Sequence, residues 1–300
     1  MPAILGQNQY GKAEVRIVRL DRATPTHRVK DLNVSVALRG DLADTHLTGD
    51  NSKVLTTDAT KNTVYALAKK HGIDSTEAFG LLLARHFVDD VPQVREARIR
   101  LEEYHWDRIP RNASRSRFVG ADEIAHSFVR NGTETRTAQI TYNAEQGAEV
   151  LSGIQDLVVM NSTDSEFWGF YRDEYTTLKE TRDRILATQV TARWRHNRDD
   201  LADWDRAYAD TRRHLLEAFS ETYSYALQQT LYQMGARVIE HRPDIDEVRL
   251  SLPNKHHFEV DLEPFGMKNG NEVFYAADRP YGLIEGTILR DGAEPRIPVD

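Results

Sequence analysis

Few residue types are left to do chemistry here, because the chain of 300 residues holds no cysteine. That one absence excludes disulfides, thiolate metal sites, iron-sulfur clusters and thiol nucleophiles. The segment GQNQYGKA sets Gly6, Gly11 and Lys12 at the G-x4-G-K spacing of a phosphate-binding loop. Ala13 stands where magnesium ligation needs Ser or Thr, and a strand pattern follows where a helix is required, so nucleotide binding is rejected. No G-x-G-x-x-G follows a strand, and neither H-E-x-x-H nor G-x-S-x-G occurs. His256 and His257 are adjacent in an extended segment and point to opposite faces, so no shared metal is expected. The segment EVRLSLPNKHHFEVDL is more informative, since Val248, Leu250, Leu252, Phe258, Val260 and Leu262 share one parity and mark a core side. Asn254 and His256 have that parity too. An extended chain through Pro253 turns both polar groups inward, where each needs a partner or a ligand; a break at Pro253, the plainer reading, turns them to solvent in a hairpin. Taken singly, Thr56 and Thr57 read as helix caps and Lys12 as a surface lysine.

The elements that must position these groups follow from periodicity. Ala13 to Leu20 and Val29 to Leu38 alternate in polarity and read as an antiparallel strand pair. Asp58 can cap a helix with Val64, Leu67 and Ala68 on one face and Gly72 at its end; Asp74 with Glu77 opens a second, carrying Phe79, Leu82, Leu83 and Phe87. Strands follow from Ala97 and over Glu134 to Tyr142. The order then recurs: strands at Ile154 to Met160 and Ala192 to His196, with a short inserted helix boxed by Thr177 and Glu180. Two helices come next, one with Leu201, Trp204, Tyr208, Leu215 and Phe219 on a face, the other with Leu227, Leu231, Met234 and Val238. Strands at Glu247 to Leu252, His257 to Leu262 and Leu283 to Arg290 complete it. This predicts an α+β chain of two β-β-α-α-β-β modules, 1–145 and 146–300, divided near Asn143 to Gly147. Arg108 to Ala125 and Gly292 to Asp300 read as loop and tail.

A net charge of -8 argues against nucleic acid as a partner, because phosphate neutralisation needs clustered cations. The longest apolar runs are too short to cross a bilayer, and Met1 to Lys12 has no signal-peptide core, which predicts a cytoplasmic protein without membrane contact.

Five blocks carry a resemblance. They are Tyr10 to Lys12 (YGK), Gly49 to Lys69 (GDNSKVLTTDATKNTVYALAK), Ser165 to Leu186 (SEFWGFYRDEYTTLKETRDRIL), Ala226 to Gly235 (ALQQTLYQMG) and Ser251 to Leu262 (SLPNKHHFEVDL). In this order, across nearly the whole chain, they resemble the urate oxidase (uricase) family. That resemblance implies two tandem tunnelling-fold modules, each an antiparallel four-stranded sheet with two helices. Subunits of this fold close a β-barrel tunnel together and form a homotetramer with active sites at subunit interfaces.

It further implies a substrate, urate, held edge-on by Arg184 and Gln228 and stacked on Phe167. The residue types suit this, since a guanidinium presents a planar fork of donors and an amide a donor beside an acceptor. Leu178 is to contact the ring, Leu227 to present its backbone amide, and Thr57 with Asp58 to reach in from a neighbouring subunit. Lys12, Thr57 and His256 match the family's proton relay, and Asn254 with Thr57 the place of O2 and then water. Without metal, flavin or haem the substrate itself is the electron donor, and Lys12 is the candidate base. The implied products are 5-hydroxyisourate and hydrogen peroxide. The ending RIPVD lacks the Ser-Lys-Leu address of eukaryotic members, which points to a bacterial cytosolic form. Two other readings share the scaffold: a pterin or purine ring-opening hydrolase, which generally needs zinc ligands or a cysteine, and a non-catalytic purine binder, which has no use for Lys12, Thr57 and Asn254 together.

Overall fold

A computed structural model describes residues 3–110, 125–130 and 132–299. The chain forms two compact units, Met1–Ser152 with Arg198–Asp205, and Gly153–Asn197 with Arg206–Asp300. Both are α+β with antiparallel strands.

In the first unit β1 (Tyr10–Asp21) and β2 (Arg28–Gly40) pair antiparallel, β3 (Val94–Glu103) joins β2, and β6 (Thr135–Asn143) joins β3. The short helix α1 (Ala43–Leu47) leaves β2, and two longer ones follow, α2 (Thr57–His71) and α3 (Thr76–Asp89). A small pair, β4 (Trp106–Arg108) with β5 (Phe128–Arg130), stands apart from the sheet. Alternation along the strands sends Val34, Val36, Leu38, Ala97, Ile99, Leu101 and Ile140 to the helix side, where Val64, Phe79, Leu83 and Phe87 cover them. Neither expected acidic cap operates. Thr56 caps α2, its hydroxyl accepting from the Ala59 N–H at 3.1 Å, and Ser75 caps α3 through the Ala78 N–H at 3.2 Å. Glu77 is instead fully buried: its carboxylate takes Arg136 Nη2 at 2.5 Å and the Ser152 hydroxyl at 2.7 Å. Arg136 also meets Asp205 at 2.6 Å and Glu103 at 3.4 Å, while Lys30 pairs with Glu103 at 2.8 Å, so a charged cluster closes one end of this core.

Strand β7 (Gly147–Asn161) is divided between the units, its residues from Gly153 belonging to the second. There β8 (Leu186–His196), β9 (Ile245–Glu259) and β10 (Phe274–Leu289) continue antiparallel, with α4 (Trp204–Glu221) and α5 (Leu227–His241) supplying the helices. Leu227, Leu231, Met234 and Val238 are buried with Leu215 and Phe219 against Trp194, Val248 and Leu250, and the half-buried Tyr208 packs against them. A second buried carboxylate, Glu247, accepts Arg195 Nε at 3.1 Å and the backbone N–H groups of Arg296 and Ile297 at 2.9 and 3.0 Å. Residues 292–299 hold no helix or strand, as expected of a tail.

Three expectations need correction. The break at Pro253 does not occur: β9 runs unbroken from Ile245 to Glu259. A proline lacks the N–H a central strand uses, and the β8–β9 pairing accordingly skips its position, while the Thr188 hydroxyl donates to the Pro253 carbonyl at 2.9 Å. The core parity holds only as far as Leu252, because no core residue covers the face beyond it, and Phe258 is 48% exposed. The helix boxed by Thr177 and Glu180 is also absent. Glu180 spends its carboxylate on the Gly169 N–H at 3.1 Å, and Asp173 and Thr176 close a turn that takes the chain elsewhere. Only the ends of the predicted 108–125 loop are described; 111–124 lie outside the described residues. Among the described residues no helix is long and apolar enough to cross a membrane.

Candidate functional site

Each unit gathers some of the candidate residues. In the first, Lys12 is half-buried on β1 opposite Val36, and directly after it the β1–β2 register slips. The slip is a bulge at Ala13 and Glu14: Glu14 takes a positive φ of 56° and its N–H turns to the Ser35 hydroxyl at 3.0 Å. Bulges re-aim the neighbouring side chain, here Lys12. Gly11 is needed beside it, because a Cβ there would fall on the Val36 carbonyl oxygen, well inside contact distance. Gly11→Ala is therefore expected to lower stability by about 1–3 kcal/mol and to cut turnover by shifting Lys12; turnover and melting both unchanged would discount the close approach.

Thr57 and Asp58 occupy the first turn of α2 and are exposed. Asp58 is held below the usual carboxylate range, first by its hydrogen bond with Lys61 at 2.5 Å and then by that cation's charge, with smaller help from Asn62 and Lys12. Asp58 thus lies within the field of Lys12, and it is an anion at neutral pH.

In the second unit the residues 162–185 between β7 and β8 form a strap. Phe167 and Thr181 exchange backbone hydrogen bonds of 2.9 and 3.0 Å across it. The Arg184 guanidinium lies 5.1 Å from the Phe167 ring centre, and its Nε donates to the buried Ser165 hydroxyl at 3.0 Å. Its Nη2 is buried and has no hydrogen-bond partner among the described residues. A donor on a guanidinium left in this state costs free energy unless a ligand accepts from it. Leu178 stands exposed on the same strap.

Asn254 and His256 sit on β9 two residues apart, so on one face. Opposite them the β9–β10 register slips between Ala277 and Gly282, which opens the ladder there. His256 stacks on Phe258 with ring centres 5.6 Å apart. Burial first, then the charges of Arg184 and His257, push its pKa below the ordinary histidine value. Arg184 and His256 are thereby brought into one field together with Phe167. Leu227 and Gln228 open α5, the first buried and the second exposed, and no side chain caps that helix start.

Among the described residues no group of three or more His, Asp or Glu is placed to hold a metal ion. Two supporting groups were not foreseen from the sequence. Ser165 and Ser35 act through single hydroxyls whose partners are distant in the chain, and neither spacing nor parity signals them.

A family model described as Uricase matches residues 8–141 and 150–285. The chain is 52% identical over 296 residues to the uricase of Arthrobacter globiformis, covering 99% of this chain and 93% of that one. To the uricase of Dictyostelium discoideum it is 40% identical over 290 residues, covering 96% and 98%. The crystal structure of the uricase from Arthrobacter globiformis is similar at a TM-score of 0.91 and 51% identity, over 99% of each chain.

Proposed function

The chain belongs to the uricase family, and from that premise we propose that it oxidises urate with O2 at a site built from the residues described above. The observation that carries the reading is the buried Nη2 of Arg184 beside the Phe167 ring, without a partner among the described residues. A planar anion bearing carbonyl and ring-nitrogen acceptors satisfies that donor while lying flat on the ring. Gln228 completes the opposite edge, the Leu227 amide and Leu178 side chain fix the plane, and Asn254 with Thr57 hold O2 and then water above it.

The reaction balances as urate, O2 and water giving 5-hydroxyisourate and hydrogen peroxide. Lys12 removes a proton from urate, and His256 through Thr57 passes protons on. The electron-rich anion then donates electrons to O2 one at a time, because triplet oxygen does not combine directly with a singlet anion. Water adds at the oxidised ring carbon, and peroxide takes up the protons released. We propose no cofactor. Thr57 and Asp58 are contributed by a neighbouring subunit of a homotetramer closing a barrel tunnel.

Urate absorbance, oxygen uptake and peroxide release from chelator-treated protein test this together. Matched loss of urate and O2, unaffected by chelator, supports the reading; activity restored only by added metal overturns it. Tight binding without turnover favours the purine-binding alternative.

The proton role of His256 has a pH signature. Its depressed pKa keeps the ring neutral, and so able to accept a proton, to lower pH than a free histidine of about 6.5. The acid limb of kcat/KM against pH is therefore expected below that value, with rate lost as pH falls through it. A limb unchanged in His256→Asn would remove histidine from the relay.

A further inference from the structure

We propose that Glu166 is a positioning residue that fixes the Phe167 and Arg184 platform relative to the α5 start, where Leu227 and Gln228 lie; this rests on the function proposed above. Along the strap Ser165 and Phe167 both contact Arg184, and Glu166 between them points the other way. Its carboxylate is the meeting point of three segments. One oxygen accepts from Trp168 Nε1 at 2.5 Å and from Arg182 at 3.4 Å, and the other from the Tyr223 hydroxyl at 2.6 Å. Arg182 lies 3.6 Å from the Trp168 ring centre and so covers the cluster.

Tyr223 is the residue before Ser224, and there the backbone repeats the connection. Glu166 N–H donates to the Ser224 carbonyl at 2.8 Å, and Ser224 N–H to the Asp164 carbonyl at 2.9 Å. The buried Ser224 hydroxyl then accepts from Thr230 in α5 at 2.8 Å. A path of direct bonds thus runs from Arg184 through Ser165 and Glu166 to Ser224 and α5. Tyr223 reports the strength of the link: its phenol is pushed up to about 12, by the hydrogen bond with Glu166 first and burial second. Glu166 is held below the usual carboxylate range, by Tyr223 first and Trp168 next. Charge-assisted bonds of this kind are shorter and stronger than neutral ones. None of them reaches a candidate catalytic group, so Glu166 acts on ligand geometry alone.

The test is the urate dissociation constant of Glu166→Ala, Glu166→Gln and Tyr223→Phe measured without oxygen, beside KM and kcat in air. Glu166→Ala is expected to raise both the dissociation constant and KM about tenfold with kcat within about twofold, the pattern of lost uniform binding. Glu166→Gln keeps an accepting oxygen and recovers part of that loss. Tyr223→Phe, which removes one exposed donor and carries the test if the alanine variant does not fold, raises KM roughly two- to tenfold, the range of one hydrogen bond. Unchanged binding and KM overturn the proposal, whether or not the melting temperature falls; so does a fall in kcat at constant KM. Wild-type protein that neither binds nor oxidises urate defeats the proposed function itself, a different outcome from wild-type activity with indifferent variants.

Discussion

Lys12→Met is expected to lower kcat for urate by roughly 10²–10⁴-fold, the usual contribution of a general base, while urate still binds without oxygen. Methionine keeps the length and most of the apolar stem of lysine, so the β1 bulge at Ala13 and Glu14 is left in place and only the amine is lost. Binding is expected to survive because the contacts proposed for Arg184, Phe167 and Gln228 do not involve it. A near wild-type rate would sink the base assignment. The same variant tests the shared site. Lys12 acts on Asp58, which is proposed to come from the neighbouring subunit, so Lys12 is expected to come with it; coexpressed with Arg184→Gln, the variant is then expected to regain about a quarter of wild-type activity, because random pairing across two-fold interfaces rebuilds that fraction of intact sites. No recovery from two inactive parents would mean that each site draws Lys12 and Arg184 from one chain.

Arg136→Leu is expected to cost about 3–5 kcal/mol of stability, the loss typical of breaking a buried ion pair from one side. Glu77 has no exposed side-chain surface, and without Arg136 its partner is the Ser152 hydroxyl. Glu103 and Asp205 keep Lys30, at 2.8 and 3.2 Å, so the penalty concentrates on Glu77. Urea unfolding measures it. The double variant with Glu77→Leu is expected to be more stable than Arg136→Leu alone, since no buried charge then lacks a counterion. A single-variant loss below about 1 kcal/mol would mean the cluster is solvated as the protein works.

Arg136 also illustrates what can be read from a sequence. Its parity matches Ala138 and Ile140, which places it on the core side of a strand recognisable by alternation, yet nothing local names Glu77, 59 residues away, as its partner. Elements with a clear period were legible: α2, α3 and α5 lie where their apolar stripes put them, and β1 with β2 pair as expected. Local chemistry failed where two residues competed for one job. Asp58 and Thr56 both suit a helix cap, and Thr56 takes it; Pro253 argues for a break, and strands on both sides of β9 hold it straight. Thr177 and Glu180 match a capping box, but a helix this short needs an apolar face to dock, and only Leu178 offers one. Of the candidate site, Asn254 and His256 stand out in the sequence as polar groups at a parity that continues the core side of β9, although that side stops being core after Leu252. Lys12, Arg184 and Gln228 were visible only through family resemblance, because their partners are set by tertiary placement. The bulge beside Lys12 and the hub at Glu166 arise from contacts between distant segments, which no local pattern encodes.

The backbone donors that reach Glu247 from Arg296 and Ile297 bear on how the protein is made. When synthesis has passed Leu289 every strand of the second unit exists, yet a carboxylate at its centre still lacks two of its three donors. A chain shortened to that point keeps the Arg195 counterion of Glu247 but leaves two of the buried carboxylate's hydrogen bonds unmade. Arg296 and Ile297 therefore hold the second unit together from outside its helices and strands, and the loss of either backbone donor is felt at a carboxylate about fifty residues earlier in the chain.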